Sequence, residues 1–92
     1  MATVRIPTPL QGLTNGLSEV KVDGSNLIGL INALESSYPG VKERLLDDGG
    51  EIRRFINIYV DQEDVRFLNG LDTAIQSSTE VSIVPAVAGG GI

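Results

Sequence analysis

Only one stretch of this 92-residue chain has a helical apolar period long enough to bury a face. Leu27, Leu30, Ile31 and Leu34 stand at i, i+3, i+4 and i+7, one stripe on a helix of about three turns. Most of the remaining apolar runs alternate with period two, the mark of a half-buried strand. A lone helix cannot bury its stripe against itself. A sheet with one apolar face must cover it.

The strands follow from the alternation. Thr3–Pro7 places Val4 and Ile6 on one face before Pro7 and Pro9 break the run. Gln11–Gly16 is a turn region, and Asn15-Gly16 is a strong hairpin signal. Ser18–Val22 alternates again with Val20 and Val22 inward, so the chain is expected to open with an antiparallel hairpin. Asp23-Gly24-Ser25 supplies side chains able to cap the main helix, and Tyr38-Pro39-Gly40 stops it. Val41–Leu46 forms a short second helix with Val41 and Leu45 on one side, and Asp47–Gly50 is a loop. Arg53–Val60 reads as the clearest strand, with Ile56, Ile58 and Val60 on one face and Phe55, Asn57 and Tyr59 on the other. Asp61–Glu63 turns the chain, Asp64–Phe67 returns as a short strand, and Gly70–Ile75 makes one helical or 3-10 turn. Thr79–Val84 is the last strand, with Val81 and Ile83 inward.

The order β-β-α-(α)-β-β-(turn)-β gives an α+β class. The expected architecture is a β-grasp, or ubiquitin-like, fold: a mixed sheet of about five strands packed on one main helix, with a flexible C-terminal glycine tail. A ferredoxin-like split βαβ needs a second full helix before the last strand, and Gly70–Ser78 is too short for it. The expected core is Val4, Ile6, Val20, Val22, Leu27, Leu30, Ile31, Leu34, Ile56, Ile58, Val81 and Ile83. Residues 1–86 form the domain and residues 87–92 the tail.

Composition removes many functions. The chain contains no cysteine and no histidine. That excludes a disulfide, a thiolate nucleophile, Ser–His or Cys–His catalysis and the usual structural zinc site. A formal charge of −5 argues against nucleic acid, whose phosphates would repel it. No segment is long and apolar enough to span a membrane, and Met1–Arg5 has no signal-peptide character. The expected setting is the cytoplasm, and the expected free state is a monomer.

The carboxylates of Asp61, Glu63 and Asp64 lack EF-hand spacing, as do Asp47, Asp48 and Glu51; both groups read as solvated turns, and no metal site is expected. Gly89-Gly90-Gly91 feeds no helix, so it is no phosphate loop. Phe55, Tyr59 and Phe67 make either an exposed apolar patch or a mixture of core and edge residues. Arg53 and Arg54 either steer a partner or solvate a strand entry.

That leaves Ala88-Gly89-Gly90-Gly91-Ile92, directly after a Val/Ile strand and a proline. Consecutive glycines at a chain end lose the most backbone entropy on ordering. Such an end is either a leftover or a thread, able to enter a narrow channel and present an unhindered carboxyl carbon.

The combination of residues resembles the ubiquitin-like sulfur carriers, which include the small subunit of molybdopterin synthase and the thiamine-pathway carrier. The segments Arg53–Val60, Glu63–Phe67 and Val84–Gly90 are most similar to the CysO-type carrier of cysteine biosynthesis. The likeness covers nearly the whole chain. It implies a protein co-substrate rather than an enzyme, with no catalytic residue of its own. An ATP-dependent, ubiquitin-activating-like enzyme would adenylate the terminal glycine carboxylate, and a sulfur donor would displace AMP to leave a C-terminal thiocarboxylate. In the CysO-type route a pyridoxal-phosphate cysteine synthase supplies the acceptor, and a JAMM-type metalloprotease releases cysteine. ATP, pyridoxal phosphate and zinc would belong to those partners, and no cofactor would be bound to the chain. Val87, Ala88, Gly89 and Gly90 would thread into the partners, with Gly90 the attachment point.

This chain departs from the pattern by continuing to Gly91-Ile92. It is therefore expected to be a precursor cut between Gly90 and Gly91. Removal of Ile92 alone, leaving Gly91 as the reactive end, is the second possibility. Molybdopterin or thiamine supply is the nearest alternative role, with tRNA thiolation further off. A ubiquitin-like modifier joined to lysines, or a plain interaction domain, are readings from other classes.

Overall fold

The computed structural model describes residues 1–85. Five strands form one mixed sheet in the order β2-β1-β5-β3-β4. The strands are β1 (Ala2–Arg5), β2 (Glu19–Val22), β3 (Ile56–Val60), β4 (Glu63–Asp64) and β5 (Glu80–Pro85). β1 and β5 run parallel; the other neighbours are antiparallel. Helix α1 (Leu27–Ser37) crosses the apolar face, followed by the short α2 (Val41–Leu45). This is the expected β-grasp.

The register explains why the sheet has one greasy face. Val20 lies opposite Val4, Val4 opposite Val81, and Val81 opposite Val60. Because side chains alternate along a strand, this puts one valine from each of four strands on a single rung. All four are buried, and Leu27, Leu30, Ile31 and Leu34 of α1 join them in one core. Every residue expected in the core is buried.

Several local expectations need correction. The N-cap of α1 is Asn26, whose Oδ1 accepts from Gly29 N at 2.9 Å, not Asp23 or Ser25. The reason is tertiary. Ser25 O accepts from Ile75 N, and Leu27 N donates to Thr73 O, so residues 25–27 are held to a neighbouring segment. Gly24 passes so close to the first turn that a Cβ there would sit 2.7 Å from Leu30 Cα. The β1–β2 connection is no tight hairpin. Thr8–Thr14 forms 3-10 turns, and Asn15 and Gly16, both at positive φ, end them. Two prolines start that segment, and Thr14, fully buried, donates its hydroxyl to Leu17 O at 2.8 Å.

The strand expected over Arg53–Val60 begins only at Ile56. Arg53 N donates to Leu45 O and Arg53 Nε to Glu43 O, which binds this segment to α2 instead of to a strand. The return strand is two residues long. Asp64 Oδ1 then accepts from Arg66 N and opens a 3-10 turn over Val65–Phe67. The expected 3-10 turn after Gly70 is present at Gly70–Asp72.

Glu35 fixes where α2 sits. Its carboxylate accepts from Gly40 N and Lys42 N, at 3.1 Å and 2.9 Å. Those backbone donors, Lys42 first, hold its pKa below the ordinary carboxylate value. The folded state therefore favours the ionised form, and Glu35 contributes stability above its unfolded pKa that is lost as pH falls through the folded one. Denaturant unfolding of Glu35→Gln should show a deficit against wild type at neutral pH. That deficit should shrink as the pH falls below the ordinary carboxylate range. An equal deficit at both ends would show that the charge is not its source.

Candidate functional site

The residues expected to carry the chemistry, Val87, Ala88, Gly89, Gly90 and Gly91, lie outside the described residues. The structure shows where the chain delivers them. β5 is an inner strand, flanked by β1 and β3. Its last described residue, Pro85, lies opposite Ile56, the first residue of β3, and Val84 lies opposite Asn57. The described part of β5 therefore ends beside the entrance of β3.

That entrance is well built. Arg66 reaches across from the 3-10 turn after β4. Its Nη2 donates to Ile56 O at 2.7 Å, and its Nη1 donates to Asn57 Oδ1 at 2.7 Å and pairs with Asp64 at 3.6 Å. Bonds from a charged donor are stronger than neutral ones, so one guanidinium pins the backbone next to the exit of β5. Beside it, Glu43, Arg44, Asp47, Arg53, Arg54, Phe55 and Ile56 line an open groove of about 630 Å³ between α2 and β3.

The structure also sorts the aromatic residues. Phe67 is 87% exposed and Phe55 53% exposed, while Tyr59 is half-buried on the outer face of β3. Val84, at 42%, adds apolar surface next to the exit. The Arg54 guanidinium lies 5.9 Å from the Phe55 ring centroid, within the range of a cation–π contact. Sequence assigns no separate role to Arg44, Asn57, Arg66 or Val84 at this site. Arg66 carries no local signal of that role, because its acceptors on β3 are nine and ten residues away.

The acidic groups are ordinary turns. Asp61 Oδ1 accepts from Glu80 N, and Asp47 Oδ1 accepts from Gly49 N and Glu51 N. Among the described residues no group of three or more acidic side chains is placed to hold a metal ion. Among them, too, no helix is long and apolar enough to cross a membrane.

The ThiS family matches residues 4–90, nearly the whole chain, with Gly90 the last matched residue. The chain belongs to the ThiS family. Its members are ubiquitin-like sulfur carriers. The chain is 50% identical over 90 residues to the sulfur carrier protein CysO of Mycobacterium tuberculosis, an alignment covering 96% of this chain and 97% of that protein. The crystal structure of M. tuberculosis CysO superposes with a TM-score of 0.91 at 47% identity, covering 95% of this chain and all of that one. An Amycolatopsis orientalis BexX/CysO complex contains a chain with a TM-score of 0.92 at 41% identity, covering 98% of this chain and 100% of that one.

Proposed function

We propose that this chain is a sulfur carrier, used as a protein co-substrate in the cytoplasm, and that it carries sulfur as a thiocarboxylate on Gly90 for cysteine synthesis. The observation that carries the reading is near-full-length similarity to CysO within a family match that ends at Gly90.

The chemistry needs only a terminal carboxylate. Its oxygen attacks the α-phosphorus of ATP, pyrophosphate leaves, and the carboxyl becomes a mixed anhydride. A sulfide equivalent adds to that carbonyl carbon, the C–O bond to AMP breaks, and the thiocarboxylate remains. No side-chain thiol takes part, in keeping with a chain that has no cysteine. The thiocarboxylate is then a soft nucleophile at neutral pH, suited to an electrophilic carbon held by a pyridoxal-phosphate enzyme. ATP, pyridoxal phosphate and the zinc of a JAMM-type protease reside on the partners. Val87, Ala88 and Gly89 lead Gly90 into their channels. Because Gly91 and Ile92 follow, the Gly90–Gly91 bond must be cut first; a β-branched terminus fits a glycine-shaped channel badly.

Intact mass of the protein from its own cells tests the reading. The expected species ends at Gly90 and is wholly or partly heavier by one oxygen-to-sulfur exchange. Finding only unmodified chain that ends in Ile92 would overturn it. Isopeptide-linked species of higher mass would redirect it to a protein modifier.

A further inference from the structure

We infer that the groove between α2 and the entrance of β3 is the docking surface for the activating enzyme that adenylates the tail, and that this enzyme presents an acidic rim with an apolar seat for Phe55. The inference rests on the carrier reading above.

Ile56 lines the groove and lies opposite Pro85. Gly90 is five residues further on, so even fully extended its carbonyl lies within about 18 Å of Pro85. An enzyme that encloses residues 87–90 in a channel must bring the mouth of that channel down to the end of β5. The groove is the concave surface that adjoins that point.

Charge gives the sign of the partner. The chain has a formal charge of −5, yet Arg44, Arg53 and Arg54, three of its seven cations, line this one groove. Two carboxylates line it as well. Those two are Glu43 and Asp47, so three guanidinium groups against two carboxylates leave the lining with a net charge of +1 on a chain that is acidic overall. Among the described residues none of the three arginines forms an ion pair. Arg53 donates its Nε to Glu43 O, which fixes that side chain along the wall. The Arg54 guanidinium lies over the Phe55 ring at 5.9 Å from its centroid, and the side chain makes no hydrogen bond among the described residues. Unpaired guanidinium groups beside a half-exposed phenyl ring suit a carboxylate-bearing rim, since planar guanidinium binds carboxylates in pairs of hydrogen bonds. Charges at such a rim act mainly on encounter and register.

The test measures adenylation of the Gly90-ending chain by its activating enzyme, read as ATP–pyrophosphate exchange over a series of carrier and salt concentrations. The variants are Arg54→Glu, Arg44→Glu/Arg54→Glu and Phe55→Ala, with Lys21→Glu as a charge control. Lys21 is on β2, three strands away from β3 in the sheet order. The side chains of Arg54 and Arg44 make no hydrogen bond among the described residues, so their variants should melt with wild type. The expected result is a KM for the carrier raised about tenfold or more by Arg54→Glu, with kcat little changed and a flatter salt dependence. Phe55→Ala should raise KM without altering the salt dependence, and Lys21→Glu should do neither.

Equal KM for Arg54→Glu and wild type would overturn the inference and leave the carrier reading intact. Failure of the wild-type chain to be adenylated at all would overturn both. Concentration-dependent self-association of wild type that Arg54→Glu abolishes would assign the groove to a second copy of the chain instead.

Discussion

Leu30→Ala should cost about 2–5 kcal/mol, the range for removing a buried leucine side chain where the surroundings relax only in part. Leu30 is 1% exposed and belongs to the stripe that closes over the sheet. The site has little freedom to collapse. On one side the chain at Gly24 already lies close against the Leu30 backbone, and on the other lies the apolar face of the sheet with its valine rung. A domain of this size has a total stability of about 5–14 kcal/mol, so one substitution removes a large share of it. In a thermal melt that is a fall of about 10 °C or more. Leu17→Ala supplies the contrast, because Leu17 is 46% exposed and its truncation should change stability by no more than about 0.5 kcal/mol. A cost for Leu30→Ala below about 1 kcal/mol would mean that the helical stripe is not the seat of the core.

The same residue shows why this fold is so readable in sequence. The period of Leu27, Leu30, Ile31 and Leu34 is set by the helix itself, and the alternation in each strand is set by the pleat. Both are local properties, so pattern alone assigns which side chains are buried. What pattern cannot see is the partner that ends an element. Arg53–Phe55 runs into Ile56–Val60 with no turn residue between them, but Arg53 is bound to Leu45 and Glu43 of the α2 region. Asp23 and Ser25 are good capping residues, but the segment is committed to Thr73 and Ile75 before the helix can start. Leu10, Val65 and Ile75 are buried without any period, each reached by an irregular turn.

The candidate site divides the same way. The tail is legible because its composition is the signal. The groove is not, because Arg44, Arg54 and Ile56 come from separate elements that only the fold brings together. Arg66 is the extreme case, a surface residue whose importance lies in two acceptors on β3.

The last expected result separates the tail from the body. The chain ending at Gly90 should be adenylated efficiently and accept sulfur. A chain carrying Gly91→Pro, designed to resist cleavage at the Gly90–Gly91 bond, should keep Ile92 and give no thiocarboxylate when mixed with the activating enzyme, ATP and a sulfur donor. A chain truncated after Ala88 should also be inert. All three should unfold at the same denaturant midpoint, because the core described above is complete by Ile83. Loss of sulfur loading with unchanged stability has only one physical source here, the identity of the terminal carboxylate. Adenylation needs an unhindered carboxyl carbon at the end of a channel, and the β-branched side chain of Ile92, borne on the adjacent Cα, crowds that carbon. Gly90→Ala tests the steric argument inside the processed chain. A single methyl next to the reacting carbonyl should slow adenylation strongly while leaving the midpoint unmoved. Full activity of the uncleaved chain would place the reactive carboxylate on Ile92 and remove the need for processing.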